Sequence, residues 1–132
     1  MDISTTYMGL HLKSPLIAGS SGMTKSITTI KEFENSGVGA VVLKSLFEEQ
    51  IMFEVQQTYD EASGDAYPDA LDYISAYSKD KSLNEYLQLI SDAKKNVAIP
   101  IIASINCSTD TEWTSFASKI EAAGADALEL NI

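Results

Sequence analysis

Apolar and polar residues alternate at period two over Ile3-Ser4-Thr5-Thr6-Tyr7 and again over Leu10-His11-Leu12-Lys13, with Met8-Gly9 between them. Such alternation places side chains on opposite faces of a strand, and a two-residue link containing Gly joins two strands as a hairpin. Pro15 interrupts the pattern. Leu16-Ile17-Ala18-Gly19 is a short apolar run bounded by Pro and Gly, as in a buried parallel strand. Ser20 to Thr24 reads as loop. A helix is expected from about Ser26, with Ile27, Ile30 and Phe33 on one face and Gly37 as its stop. Val41-Val42-Leu43 is the next strand, with Lys44 at its C-terminal end.

Residues 46–81 carry a weaker pattern. Glu48 to Gln56 is compatible with a helix. Thr58 to Asp69 is polar, contains Gly64 and Pro68, and reads as an extended loop; Asp69 to Tyr77 suits a turn or two of helix. A connection of this length is commonly functional. Leu83, Leu87 and Ile90 recur at helical spacing around a helix expected over Asn84 to Lys95. Ile99 to Ile105 is a strand entered through Pro100, where a missing N–H is tolerable. Asp110 is expected to cap a helix running to about Ala123, with Trp113, Phe116, Ala117 and Ile120 toward the core. Ala127 to Leu130 is the last strand.

Two stretches repeat one unit. Ser36-Gly37-Val38-Gly39-Ala40-Val41-Val42-Leu43-Lys44 and Ala123-Gly124-Ala125-Asp126-Ala127-Leu128-Glu129-Leu130-Asn131 each pair a helix-ending Gly with an apolar strand closing on a polar residue. The order is hairpin, β, α, β, long insert, α, β, α, β. Alternating units of this kind demand parallel strands. The chain has 132 residues, enough for one domain but short of the roughly 250 of a closed (β/α)8 barrel. The fold class is therefore α/β, either a small open sheet or part of a barrel, and an open last strand leaves an unpaired edge.

A formal net charge of −10, from 19 acids against 9 Lys and Arg, repels phosphate backbones and argues against a nucleic-acid partner. The single Cys, Cys107, excludes an internal disulfide and a multi-thiolate metal site. It reads as a small, half-buried thiol. No run of about 18 apolar residues marks a membrane span, and Met1-Asp2-Ile3-Ser4-Thr5 has no secretory n- or h-region. A cytoplasmic location is the expectation.

Ligands of parallel α/β folds meet the C-terminal ends of the strands. Those ends are Ala18-Gly19-Ser20, Lys44-Ser45, Asn106 and Asn131. One Lys and two Asn supply a fixed positive charge with amide donors and acceptors, suited to a planar polar ligand. Lys44 has three readings: a snorkelling or Glu48-paired side chain, a counter-charge for an anionic ligand, or a Schiff-base lysine. Asn106 and Asn131 also suit caps, and Ser20-Ser21-Gly22 a plain turn. Gly19 and Gly22 lack dinucleotide-fingerprint spacing. The acids Glu48, Glu49, Glu54, Asp60, Glu61, Asp65 and Asp69 lack metal-loop spacing and read as solvated. His11 reads as structural or surface.

Taken together, "TTYMGLHLKSPLIAGS", "GVGAVVLKS", "IPIIASI" and "GADALELNI" resemble the front half of the dihydroorotate dehydrogenase-like flavoproteins, across nearly all of the chain. The resemblance implies the N-terminal half of a TIM barrel with a β-hairpin before it, residues 1–132 running through the fourth barrel strand. It implies FMN at the strand C-termini and hydride transfer between dihydroorotate, or a similar small cyclic substrate, and the flavin, in pyrimidine biosynthesis. By motif, Ala18, Gly19 and Ser20 would lie against the flavin. Lys44 would reach its pyrimidine edge and the substrate, with Ser45 beside it, and Asn106 and Asn131 would contact flavin or substrate. An ammonium there stabilises the negative charge of reduced flavin. No catalytic residue falls within the chain on this reading: the Cys or Ser base is expected beyond Ile132, as are the phosphate loops. Residues 56–73, "QQTYDEASGDAYPDALDY", stand where substrate-oxidising members carry an Asn-x-Met-Gly-type loop, and show no such motif. Two other classes are an aldolase or synthase barrel using Lys44 as Schiff-base residue, and a non-catalytic fragment that self-associates or awaits a C-terminal half through its open edge.

Overall fold

The computed structural model describes residues 2–47, 51–53, 55–57 and 68–132, with backbone alone for 68–72. The chain opens on an antiparallel hairpin of β1 (Thr5–Tyr7) and β2 (Leu10–Leu12), in the register Thr5↔Leu12, Thr6↔His11, Tyr7↔Leu10. Its two link residues both lie in the left-handed region, Met8 at φ 49° and Gly9 at φ 77°. A two-residue turn needs that conformation to follow the twist of its strands.

The main sheet contains β3 (Ile17–Ala18), β4 (Ala40–Val42), β5 (Leu46–Phe47), β6 (Ile101–Asn106) and β7 (Ala127–Leu130), and every pairing in it is parallel. β7 takes one edge of β6, pairing Ile102 with Ala127 and Ile105 with Leu130. β4 and β5 share the other edge, where Val41 faces Ile101 and Phe47 faces Asn106. Six steps (47 − 41) therefore oppose five (106 − 101). β4 and β5 are one strand interrupted by a bulge at Leu43-Lys44-Ser45. With that, the strands run in sequence order across the sheet, the order of the first four strands of a (β/α)8 barrel. The expected α/β fold, a parallel half-barrel with an N-terminal hairpin, is the one observed.

Among the described residues, α1 (Ile27–Asn35), α2 (Pro68–Asn96) and α3 (Asp110–Ala123) connect the strands, with further helical residues at 51–53 and 55–57. The repeated unit has identical chemistry at both copies. Val38 N–H donates to Phe33 O and Ala125 N–H to Ile120 O, while Gly37 (φ 89°) and Gly124 (φ 96°) make the left-handed turn. This is the six-to-one closure that favours Gly after a helix. Gly39 has a different reason to be Gly: a Cβ there would lie 2.0 Å from the Ser14 carbonyl oxygen, because its N–H donates to Leu16 O at 2.7 Å where β4 meets the hairpin exit.

Four expectations are corrected. Gly22–Lys25 is a short 3-10 helix rather than loop, started by Ser21, whose side chain accepts from Met23 N–H. Pro68 and Asp69 belong to a helix, and the two separate helices expected after them are one of 29 residues. No Gly or Pro stands between Asp69 and Asn96 to break it. Thr109, not Asp110, caps α3: its side chain accepts from Glu112 N–H, and Asp110 sits in the first turn beside the positive end of the helix dipole. Lys44 lies within the bulge rather than at the end of the strand, which continues to Phe47. Of the helix expected over 48–56, residues 51–53, 55 and 56 are helical, and 48–50 and 54 lie outside the described residues; so does the loop over 58–67.

The sheet is buried on both faces, as parallel sheets are. One face packs Val41, Leu43, Ile101, Ala103 and Ile105 against Ile30 of α1, Leu83, Tyr86, Ile90 and Ala93 of α2, and Phe116 and Ile120 of α3. The other gathers Ala40, Val42 and Ile102 around Leu12, which the hairpin inserts beneath the sheet. No helix among the described residues is long and apolar enough to cross a membrane.

Candidate functional site

The bulge decides what faces inward near the strand ends. Along β4 the inward residues are Ala40 and Val42, and strict alternation would next turn Lys44 and Leu46 inward. The extra residue shifts the phase, so that Leu46 packs with the helix-side core and Ser45 turns to the inner face, against Ser104 of β6. It also breaks the ladder. Val41 N–H donates to Pro100 O and Leu43 N–H to Ile102 O, but Ser45 N–H goes to Ser20 Oγ at 2.9 Å. The backbone groups of Ser104, left over on that edge, are taken by Tyr86 of α2, whose hydroxyl accepts from Ser104 N–H and donates to Ser104 O. Burial pushes the Tyr86 phenol far above its usual range; the bond to Ser104 opposes this and the nearby Glu129 carboxylate adds to it.

Above this layer a cleft of about 570 Å³ opens at the strand C-termini, lined by Ser20, Ser21, Lys44, Ser45, Phe47, Glu129, Leu130 and Asn131. That size suits a small-molecule site, which spans roughly 300–1,000 Å³. Four of the residues singled out from the sequence, Ser20, Lys44, Ser45 and Asn131, share this cleft. Among the described residues Lys44 has no hydrogen-bond or ion-pair partner; Glu48, four residues on in the sequence, lies outside them. Lys44 also borders a second hollow of about 280 Å³ behind the bulge, with Lys25, Glu85 and Tyr86.

The other candidates are placed differently. Asn106 does not line the cleft; its amide donates to the Asn131 backbone carbonyl at 2.6 Å and ties the ends of β6 and β7 together. Gly19 lines a hollow on the inner face with Tyr7, Ile17, Val42 and Ile102. Ala18 is half-buried on the helix-side face of β3. Cys107 is buried beside the core. Of the acidic set, Glu48, Glu49, Glu54, Asp60, Glu61, Asp65 and the side chain of Asp69 lie outside the described residues.

Three residues of the site were not foreseen. Ser104 Oγ donates to Glu129 Oε1 at 2.6 Å and contacts Ser45 Oγ, which in turn meets Ser20 Oγ at 3.2 Å. Ser20, Ser45, Ser104 and Glu129 thus form one polar row that runs from the turn after β3 through the bulge to β6 and β7. The sequence signal was present, since Ser104 and Glu129 are the polar residues inside the runs Ile101–Ile105 and Ala127–Leu130. Tyr86 carried no such signal, being one apolar position among several on α2.

Strands in sequential parallel order, with a charged and amide-bearing cleft at their C-terminal ends, are the arrangement of a (β/α) half-barrel, a fold whose ligands meet that rim. The chain is 31% identical over 99% of its length to the catalytic subunit of dihydroorotate dehydrogenase B (NAD(+)) from Thermoplasma volcanium. Against the same subunit from Methanocella arvoryzae it is 30% identical over 100% of its length, and against that from Thermoplasma acidophilum 29% over 99%. It is a relative of the dihydroorotate dehydrogenases and resembles the N-terminal half of such a protein. It spans 41% of the length of these curated relatives. No protein-family model matches the chain.

Proposed function

We propose that the chain is the N-terminal portion, residues 1–132, of an FMN-dependent (β/α)8 oxidoreductase of the dihydroorotate dehydrogenase type. The whole protein would move a hydride between dihydroorotate, or a similar small cyclic substrate, and the flavin, in pyrimidine biosynthesis in the cytoplasm. The observation that carries the reading is the Lys44 ammonium, with no partner among the described residues, in one cleft with Ser20, Ser45 and Asn131. The donor set fits the isoalloxazine ring: Lys44 supplies positive charge where reduced flavin is negative, and Asn131 an amide for ring edges. FMN supplies the hydride-accepting chemistry when bound. The chain's own residues bind and orient it, with Ser45 held by the bulge and Asn131 anchored by Asn106. The described residues offer no phosphate cradle, and a general base and cradle would come from a C-terminal half.

FMN titrated into the purified chain tests this. Quenching of flavin fluorescence and a perturbed band near 450 nm (roughly, as for oxidised flavins) are expected, with no dihydroorotate-dependent reduction by the chain alone. Absence of binding both to the chain and to its complex with a C-terminal half would overturn the reading.

A further inference from the structure

The polar row across the strands has a fixed proton order. Ser104 Oγ donates to Glu129 Oε1. A hydroxyl has one proton to give, so Ser45 is the donor in its contact with Ser104 Oγ. The same count makes Ser20 the donor in its contact with Ser45 Oγ. Ser20 Oγ also accepts the Ser45 N–H. It is left with no proton to offer and one lone pair free, in a residue that lines the cleft. Ser104 is 0% exposed and Ser45 7%, so the link between them is shielded from bulk water, while Ser20 and Glu129, at the two ends of the row, are exposed.

We propose that Glu129 is a positioning residue that acts through Ser104 and Ser45 to fix Ser20 as a hydrogen-bond acceptor toward the cleft, so that the site favours a ligand edge bearing N–H groups. The choice of ligand rests on the flavin reading. Oxidised isoalloxazine has a single ring N–H and the two-electron-reduced ring has more, so an acceptor at Ser20 favours the reduced form. A donor in place of the carboxylate would reverse every bond in the row and turn Ser20 into a donor.

A double-mutant cycle tests the relay without any ligand. The Ser45 amide-proton shift reports on the Ser20 oxygen that accepts it. Glu129→Lys, which offers donors only, is expected to move that shift in the native chain. In a Ser104→Ala background the movement should fall to less than about a third, the part due to charge acting through space. Ser45→Ala, which keeps the amide and cuts the row at another link, should give the same loss. Additive shifts in both backgrounds would overturn the proposal. A second arm uses FMN: Ser104→Ala should weaken reduced FMN relative to oxidised FMN by about tenfold, the worth of one hydrogen bond. Non-additive shifts with no FMN binding would keep the relay and discard the flavin; FMN binding with additive shifts would do the reverse.

Discussion

The Tyr86 hydroxyl stands 2.8 Å from Ser104 N and 3.0 Å from Ser104 O, taking the place of the strand that the bulge withdraws. One phenol satisfies both a buried donor and a buried acceptor. Tyr86→Phe would leave both unpaired, at about 1–3 kcal/mol each. Denaturant unfolding should show a loss in that range, and the Ser104 amide should exchange with solvent faster than its β6 neighbours.

The same phenol makes stability depend on alkaline pH. Its pKa is raised in the folded chain above the ordinary value of 10.0, so the folded state keeps a proton that the unfolded state releases. The contribution is fully present below pH 10.0 and declines as pH rises above it. Unfolding midpoints measured upward from pH 9 should fall less steeply in Tyr86→Phe than in the native chain.

Gly39 and Gly22 offer a contrast in one experiment. A Cβ at Gly39 would meet the Ser14 carbonyl oxygen and carbon, both backbone atoms, at 2.0 and 2.9 Å, whereas at Gly22 nothing lies within 4 Å. Gly39→Ala should destabilise by about 1–3 kcal/mol or more, because the hairpin exit must shift. Gly22→Ala should leave the melting temperature within about a degree or two.

Asp126 holds the entry to β6. Its carboxylate accepts Ile101 N–H at 2.7 Å and pairs with Lys94 of α2. Asp126→Ala leaves that N–H without a partner and should cost about 1–3 kcal/mol. Lys94→Ala, which removes only a partly exposed ion pair, should cost about 0–1 kcal/mol. The difference between the two variants separates the backbone bond from the charge pair.

Lys44→Gln should leave the unfolding midpoint unchanged and weaken binding of reduced FMN by about tenfold or more, since a half-exposed ammonium with no partner among the described residues adds little to folding and much to a reduced ring that carries negative charge. Borohydride treatment with a carbonyl substrate should leave no adduct at Lys44; an adduct there would favour the Schiff-base reading. On the far edge of β7, Leu130 is 53% exposed. We propose that this edge pairs with a C-terminal half or with a second copy. Sedimentation of the chain alone should show size rising with concentration, and Leu130→Lys should suppress it.

Periodicity alone determined the hairpin, the parallel strand order and the helix faces, because each follows from local rules: two-residue alternation, spacing of Ile27, Ile30 and Phe33, and the Gly that ends each repeated unit. It also marked Ser20, Lys44 and Asn131 as strand-end residues, and the cleft brings them together. What the tertiary structure decided is the phase of the second strand. No local signal in Val42-Leu43-Lys44-Ser45-Leu46 announces a bulge, since its cause is the fit of that strand against Ser20, Ser104 and Tyr86, which lie 25 to 59 residues away from Ser45 in the case of the two serines. One added residue exchanges the faces of everything after it. That exchange brings Ser45 into line with Ser104 and Glu129, and a row of polar side chains that also takes in Ser20, from the turn after β3, exists only once the strands are side by side.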